Sequence, residues 1–258
     1  MSEIRRPNTF PVPGQVEGLR VVVTGATRGL GLIIADAFAR AGARLCLVAR
    51  DSDALERVAL SFGGVHLTVP GDVTDPEVND SAADLAVERW GGLDVWIANA
   101  GISPLVAGPL ETPPDTWRRV IDVNLTGPFL GARAAARVMG EGGTIIITSS
   151  VLGERPRTGL SAYSASKAGV IGLVKALALD LADRGITVNA VSPGWFDSPL
   201  TEGWRLDRAL EKGILAHTAL GRWGQAEDLA GAYLFLASPA GGFMTGSVVT
   251  VDGGYLCV

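Results

Sequence analysis

The chain has 258 residues, enough for one large α/β domain or two small ones, and 47% of them are hydrophobic, so a sizeable core is available. Lysine and arginine number 22 against 27 aspartates and glutamates, a formal charge of −5, which argues against a nucleic-acid partner and leaves no basic stripe for a membrane surface. The two cysteines, Cys46 in the apolar run RLCLVA and Cys257 near the end, do not make a disulfide framework, and the expected compartment is the reducing cytoplasm.

Residues 1–17 contain three prolines and no apolar h-region, so they are not a signal peptide and are expected to form a poorly ordered extension before the fold. No apolar run is expected to reach the length of a membrane span. From residue 18 to 258, short β-rich runs alternate with helix-sized amphipathic stretches: LRVVVT, RLCLV, VHLTV, LDVWIA, GTIIITS, ITVNAVS and SVVTVDG. Several of these runs are apolar at nearly every position, which suits strands buried on both faces. The pattern predicts one α/β domain, a Rossmann-type doubly wound parallel sheet of seven strands with helices on both faces.

The first run leads into VVVTGATRGLG and then at once into the helical LGLIIADAFARAG. Gly25, Gly29 and Gly31 allow a sharp turn and a close backbone approach to a pyrophosphate, and a helix start offers free N–H groups to the anion. Arg28 and Thr27 lie within that turn, with Leu30 between its last two glycines.

The end of the second strand reports the cofactor, because an acid there would bond a ribose 2′-hydroxyl. Here Ala49 occupies that place and Arg50 follows, with Asp51 one place late. Arg28, Arg50 and Thr27 converging near the ribose suit a 2′-phosphate and hence NADP(H); the competing reading makes both arginines solvated surface charges.

Further on, a long helix is expected within 115–140 and another over 162–183. The second carries SAYSASKAG, which places Tyr163 and Lys167 four residues apart on one face among small neighbours. A free tyrosine has a pKa of about 10, and a nearby cation lowers it toward a usable acid or base. A helix is also expected over 199–216. The two histidines, His66 and His217, are too few and too separated to form a metal site, and none is expected.

The combination resembles the short-chain dehydrogenase/reductase family of the single-domain type. The resemblance runs over residues 18–256 and rests on TGATRGLG from Thr24, GDV from Gly71, NAG from Asn99, VNLTG from Val123, SS ending at Ser150, YSASK from Tyr163, VSPGWFDSPL from Val191 and MTGSVVTVDGGY from Met244. It implies a catalytic tetrad of Asn124, Ser150, Tyr163 and Lys167. Ser150, 13 residues before Tyr163, would bond the substrate oxygen, with Ser149 as a rival one residue out of place. Tyr163 would be the acid or base. Lys167 would lower its pKa and hold the nicotinamide ribose, and Asn124 would support a proton-relay water. Asp72 and Val73 would hold the adenine. Asn99, Ala100 and Gly101 would pass close to the cofactor ribose. Pro193, Gly194 and Phe196 would flank the carboxamide, and Ser198 stands where the family usually has threonine.

Leu152, Gly153, Leu160, Trp195, Phe196 and Trp204 are expected to line a substrate pocket, with Ser103 and Pro104 opposite; the aromatic residues after Pro193 serve equally well as lid packing. The implied activity is a ketone/alcohol oxidoreductase on a free small molecule. The 3-oxoacyl carrier-protein reductases and sugar or polyol dehydrogenases look nearly as close, although Glu141 stands where carrier-protein reductases carry basic residues. A silent cofactor-binding regulator would have no need of the tetrad, and a dehydratase or epimerase would have a longer substrate domain.

The helix over 162–183 has apolar residues around most of its circumference (Val170, Ile171, Leu173, Val174, Leu177, Leu179, Leu181), and GARAAARVMG in the preceding helix is a small-residue stretch. That surplus, with the apolar tail GSVVTVDGGYLCV, predicts two two-fold surfaces and a homotetramer, the common assembly of the resembled family.

Overall fold

The computed structural model describes residues 14–64, 66–140 and 142–258. Seven parallel strands form one sheet: β1 (Arg20–Thr24), β2 (Arg44–Ala49), β3 (Leu67–Pro70), β4 (Val95–Ala98), β5 (Thr144–Thr148), β6 (Thr187–Pro193) and β7 (Val248–Val251), in the order β3-β2-β1-β4-β5-β6-β7. β1 pairs with β2 from Arg20↔Arg44 to Thr24↔Val48 and with β4 from Val21↔Val95 to Val23↔Ile97. The chain therefore winds outward from β1 on one side, then returns to β4 on the other. At such a reversal the loops after neighbouring strands part and leave a crevice at their carboxyl ends.

Strand side chains alternate between two faces. Val22, Cys46, Val48 and Trp96 pack under α3 (Pro76–Trp90), α5 (Gly127–Val138) and α6 (Ser161–Asp180). Val21, Val23, Leu45, Leu47 and Ile97 pack under α1 (Gly29–Arg40), α2 (Ser52–Ser61) and α9 (Ala226–Ala237). Both faces are covered, which is why β2 and β5 read as unbroken apolar runs.

The helix expected within 115–140 is not a single α-helix. α4 (Pro114–Ile121) passes through a π turn, Asp122–Thr126, into α5. Pro128, in the first turn of α5, has no N–H to give the carbonyl of Asn124, and the Gly127 amide reaches back five residues to Asp122. The helix expected over 199–216 is likewise two, α7 (Glu202–Leu206) and α8 (Arg208–Ala216), because Asp207 caps α8 by accepting from the amides of Ala209 (2.9 Å) and Leu210 (3.1 Å).

The extension expected over 1–17 lies outside the described residues up to 13. Residues 14–17 do not behave as such an extension: Val16 is buried among Ile34, Phe38 and Leu229. Glu141 also lies outside the described residues. Contrary to expectation, one apolar stretch does reach spanning length: α6 has 20 residues, and an 18-residue window within it has a mean hydropathy of 1.2. Its apolar residues include Val170, Val174 and Ala178, which pack against the sheet.

Candidate active site

The crevice at the carboxyl ends of the strands is a cavity of about 590 Å³. Gly25, Thr27, Arg28, Gly29, Leu30 and Gly31 all line it. Gly25 and Gly29 have φ of +69° and +55°, in the left-handed region that disfavours a side chain. Gly31 is required for a different reason: a Cβ there would stand 2.1 Å from the Gly25 carbonyl oxygen and 2.5 Å from Asn99 Nδ2. The turn is thus packed tightly onto the strand beneath it. The first turn of α1 holds no acidic side chain, so its unpaired amides and positive dipole end face the cavity without a competing anion. This arrangement fits a pyrophosphate.

Beyond the turn, Ala49, Arg50 and Asp51 line the same cavity. Asp51 caps α2 by accepting from the Ala54 amide at 2.9 Å. Arg28 and Arg50 are exposed, and among the described residues neither forms an ion pair. Asp72 and Val73 line the cavity too. Both oxygens of Asp72 have partners: Oδ1 accepts from the amide and hydroxyl of Thr74, and Oδ2 accepts from Arg119 at 2.5 Å. Burial works against the charged carboxylate, but these hydrogen bonds outweigh it and hold the pKa below the usual range. Arg119, itself a lining residue, escaped the sequence reading; the WRRV stretch carries no signal of a contact 47 residues away.

At the opposite end lie Ser150, Tyr163 and Lys167. Lys167 is buried, and its Nζ donates to the Thr148 carbonyl at 2.8 Å. Burial pushes its pKa down from 10.5 to about 8. The Lys167 ammonium stands 5.8 Å from the centre of the Tyr163 ring. The phenol is not lowered, as the spacing led us to expect, but raised: burial favours the neutral form, and only the neighbouring Ser150 hydroxyl pulls the other way.

The two serines separate cleanly. Ser149 Oγ donates to the Lys167 carbonyl at 3.0 Å and so ties β5 to α6, whereas Ser150 Oγ accepts from the Leu152 amide at 3.2 Å and stands beside the phenol.

Asn124 is fully buried and is not among the lining residues. Its Oδ1 accepts from the Ile102 amide (2.8 Å), and its Nδ2 donates to the Ile102 carbonyl (2.9 Å) and to Ser166 Oγ (3.1 Å). The side chain fastens the segment after β4 to α6. Asn99, Ala100 and Gly101 line the cavity, and Asn99 braces the glycine turn by donating from Nδ2 to the Thr24 carbonyl at 3.2 Å.

The part of the cavity expected to hold substrate is walled by Leu152, Leu160, Trp195 and Trp204, with Ser103 also lining. Gly153 is a correction: it is not a lining residue, and a Cβ there would stand 2.8 Å from the Lys167 carbonyl carbon. Pro104 belongs to a small neighbouring recess. Phe196 lines the cavity, but its ring packs onto Gly224 within the core. Pro193, Gly194 and Ser198 line the cavity, and Ser198 is held by Thr201, whose Oγ1 donates to the Phe196 carbonyl at 2.6 Å. Trp195 packs with Trp204, Trp223 and Tyr255, and the Arg157 guanidinium lies 5.4 Å and 5.0 Å from the Trp195 and Trp204 ring centres. Trp195 and Trp204 are thus at once cavity wall and members of a packed aromatic cluster.

A family model described as Enoyl-(Acyl carrier protein) reductase matches residues 25–256. A cis-4-hydroxycyclohexanecarboxylate dehydrogenase of Sinomonas cyclohexanicum is 40% identical over 241 residues, covering 92% of this chain and 96% of the relative. A galactitol 2-dehydrogenase (L-tagatose-forming) of Cereibacter sphaeroides is 40% identical over 247 residues, covering 93% and 96%. Among solved structures, a short chain dehydrogenase from Burkholderia cenocepacia in complex with NADP superposes with a TM-score of 0.86 at 34% identity, covering 94% of this chain and 99% of that one.

Proposed function

The chain belongs to the short-chain dehydrogenase/reductase family, and on that premise we propose that it is an NADP(H)-dependent ketoreductase, interconverting a ketone and a secondary alcohol. The observation that carries the cofactor assignment is the charge at the adenosine end. Arg28 and Arg50 line the cavity free of ion pairs among the described residues, Ala49 stands where an acid would read a 2′-hydroxyl, and Asp51 is occupied as a cap. Guanidinium groups so placed suit a 2′-phosphate.

When bound, the nicotinamide supplies or takes up the hydride. Tyr163 then gives its proton to the developing alkoxide, and burial keeps it in the neutral form that can do so. Ser150 accepts from the Leu152 amide, which leaves its own proton for the substrate oxygen. Lys167 uses one N–H on the Thr148 carbonyl; the other two would hold the ribose hydroxyls, and its charge favours the phenolate required in the oxidative direction. Asn124 acts as a positioning residue, since its side-chain groups are engaged by Ile102 and Ser166.

The wall of Leu152, Leu160, Trp195 and Trp204 suits an apolar or cyclic ketone. The Sinomonas relative is named for a ring-bearing alcohol. A second reading, a sugar or polyol, is favoured by the name of the Cereibacter relative. Following NADPH consumption over cyclic ketones, β-keto esters, acyl thioesters and keto sugars tests the choice. Cyclic ketones should turn over fastest; turnover confined to keto sugars or thioesters would overturn the substrate reading, and no turnover of any class would favour a silent cofactor-binding protein.

The same reading makes the protein a cytoplasmic homotetramer. Cys46 is buried and Cys257 exposed, an arrangement that calls for no oxidising compartment. Phe129 on α5 and Leu179 on α6 are 44% and 80% exposed, apolar surface that a two-fold copy would cover. Light scattering should give four times the 26.7 kDa chain mass.

A further inference from the structure

One hydrogen-bonded chain crosses the sheet beneath the cavity, and nothing in the reaction outlined above uses it. Tyr233 lies on α9, on the face opposite α6, and is completely buried. Its hydroxyl is 2.8 Å from Thr148 Oγ1. Thr148 Oγ1 in turn lies 3.3 Å from Asn99 Oδ1, and Asn99 Nδ2 lies 3.2 Å from the Thr24 carbonyl. An amide oxygen only accepts, so Thr148 must donate to Asn99, and the hydroxyl of Tyr233 must donate to Thr148. The direction is therefore set along the whole run, from Tyr233 through Thr148 and Asn99 to Thr24.

The run joins the ends of three adjacent strands, β5, β4 and β1. Thr24 Oγ1 closes it by accepting from the amides of Asn99 (3.0 Å) and Ala100 (3.1 Å). Each end of the run bears on one part of the site. Thr148 is the residue whose main-chain carbonyl holds the Lys167 ammonium. Asn99 Nδ2 is the group against which Gly31 packs and which holds the strand leading into the glycine turn. One threonine is thus gripped from both faces of the sheet, by Lys167 through its backbone and by Tyr233 through its side chain.

We infer that Tyr233 and Thr148 are positioning residues that hold the glycine turn and Lys167 in one register, so that the phosphate-binding and ribose-binding ends of the dinucleotide site are set together. The inference rests on the cofactor reading above; Thr148 itself lines the cavity, whereas Tyr233 does not and can act only through Thr148.

The test is NADPH titration of the whole protein by quenching of tryptophan fluorescence, with folding followed in parallel by thermal melting. Thr148→Val should raise the NADPH Kd about tenfold, the scale of a lost buried hydrogen bond, and Tyr233→Phe by about threefold to fivefold. Thr148→Ser keeps the hydroxyl and should stay within about twofold of wild type. Because the two residues act through one bond, the double variant should bind no more weakly than Thr148→Val alone. A role in stability alone would lower the melting temperature and leave Kd in place. Kd values within about twofold of wild type in both single variants overturn the inference, as does a double variant whose loss is the product of the two. If Thr148→Val does not fold, Tyr233→Phe, which keeps the ring, decides by the same criterion. A wild-type protein that binds neither NADPH nor NADH overturns the cofactor reading and the inference together; wild-type binding with unaltered variants overturns the inference alone.

Discussion

The two ends of the cavity do their chemistry in different media. At one end Asn124, Lys167 and Ser150 are 0%, 3% and 7% exposed, and their polar atoms are matched to particular partners from β5, α6 and the segment after β4. At the other, Arg28 and Arg50 stand in water and meet the cavity only with their charge. Burial decides ionisation at the first end: it lowers Lys167 to about 8 and raises Tyr163. At the second the two guanidinium groups meet solvent, and their attraction for an anion is graded by salt. A single lost group should therefore be nearly all-or-none at the buried end and a matter of degree at the exposed one.

The sharpest way to break this contrast is Tyr163→Phe. Turnover should fall by about three orders of magnitude, while the NADPH Kd moves less than about threefold. Steady-state rates and fluorescence titration read the two quantities separately; a rate within a few-fold of wild type would remove Tyr163 from the acid role.

Lys167 gives a stability measure of the same burial. Its folded pKa of about 8 lies below the unfolded 10.5, so between those values the unfolded chain holds the extra proton and stability rises with pH. Without nucleotide, wild type should gain about 2 kcal/mol relative to Lys167→Met between pH 8 and 10. Placing the same pair of chains on a Tyr163→Phe background removes the phenol, whose titration the ammonium would bias, from the comparison. Urea unfolding at pH 8, 9 and 10 checks this, and parallel curves for the two proteins would show that the ammonium is not desolvated.

At the exposed end, Arg50→Asp should cut the preference for NADPH over NADH by at least about tenfold, read as the ratio of kcat/KM values. A wild-type preference for NADH would sink the assignment of that end. The smallest effect expected is that of salt. Raising ionic strength from about 0.05 to 0.3 M should weaken NADPH binding a few-fold and leave the Tyr163→Phe deficit unchanged. A deficit that varies with salt would mean the two ends are not independent.

The legible parts of this molecule were those written in short range. The inner strands could be read because they are largely buried on both sides, as VVV in β1 and III in β5 show, while β3 and β7 at the sheet edges are only partly buried. The glycine turn could be read because Gly25 and Gly29 adopt a conformation that other residues resist. Residues 14–17 and the break at Asp207 were misread, since neither the burial of Val16 under α1 nor a cap inside an apolar stretch leaves a period in the sequence.

By itself the sequence determined the order of elements and the place of the crevice, because periodicity and turn chemistry are properties of neighbours along the chain; Asn124, Ser150, Tyr163 and Lys167 were singled out by the family resemblance. Only the tertiary structure decided what those side chains do with their hydrogen bonds. It set Ser149 on the Lys167 carbonyl and Ser150 beside the phenol, engaged Asn124 with Ile102 and Ser166, paired Arg119 with Asp72, excluded Gly153 from the cavity and brought Tyr233 onto Thr148 across 85 residues. It also reversed the direction of the Tyr163 shift, because four-residue spacing reports a lysine one turn away but says nothing of how much water is excluded from the phenol. Desolvation and hydrogen-bond partnership depend on which distant strands and helices meet, and no local pattern encodes that.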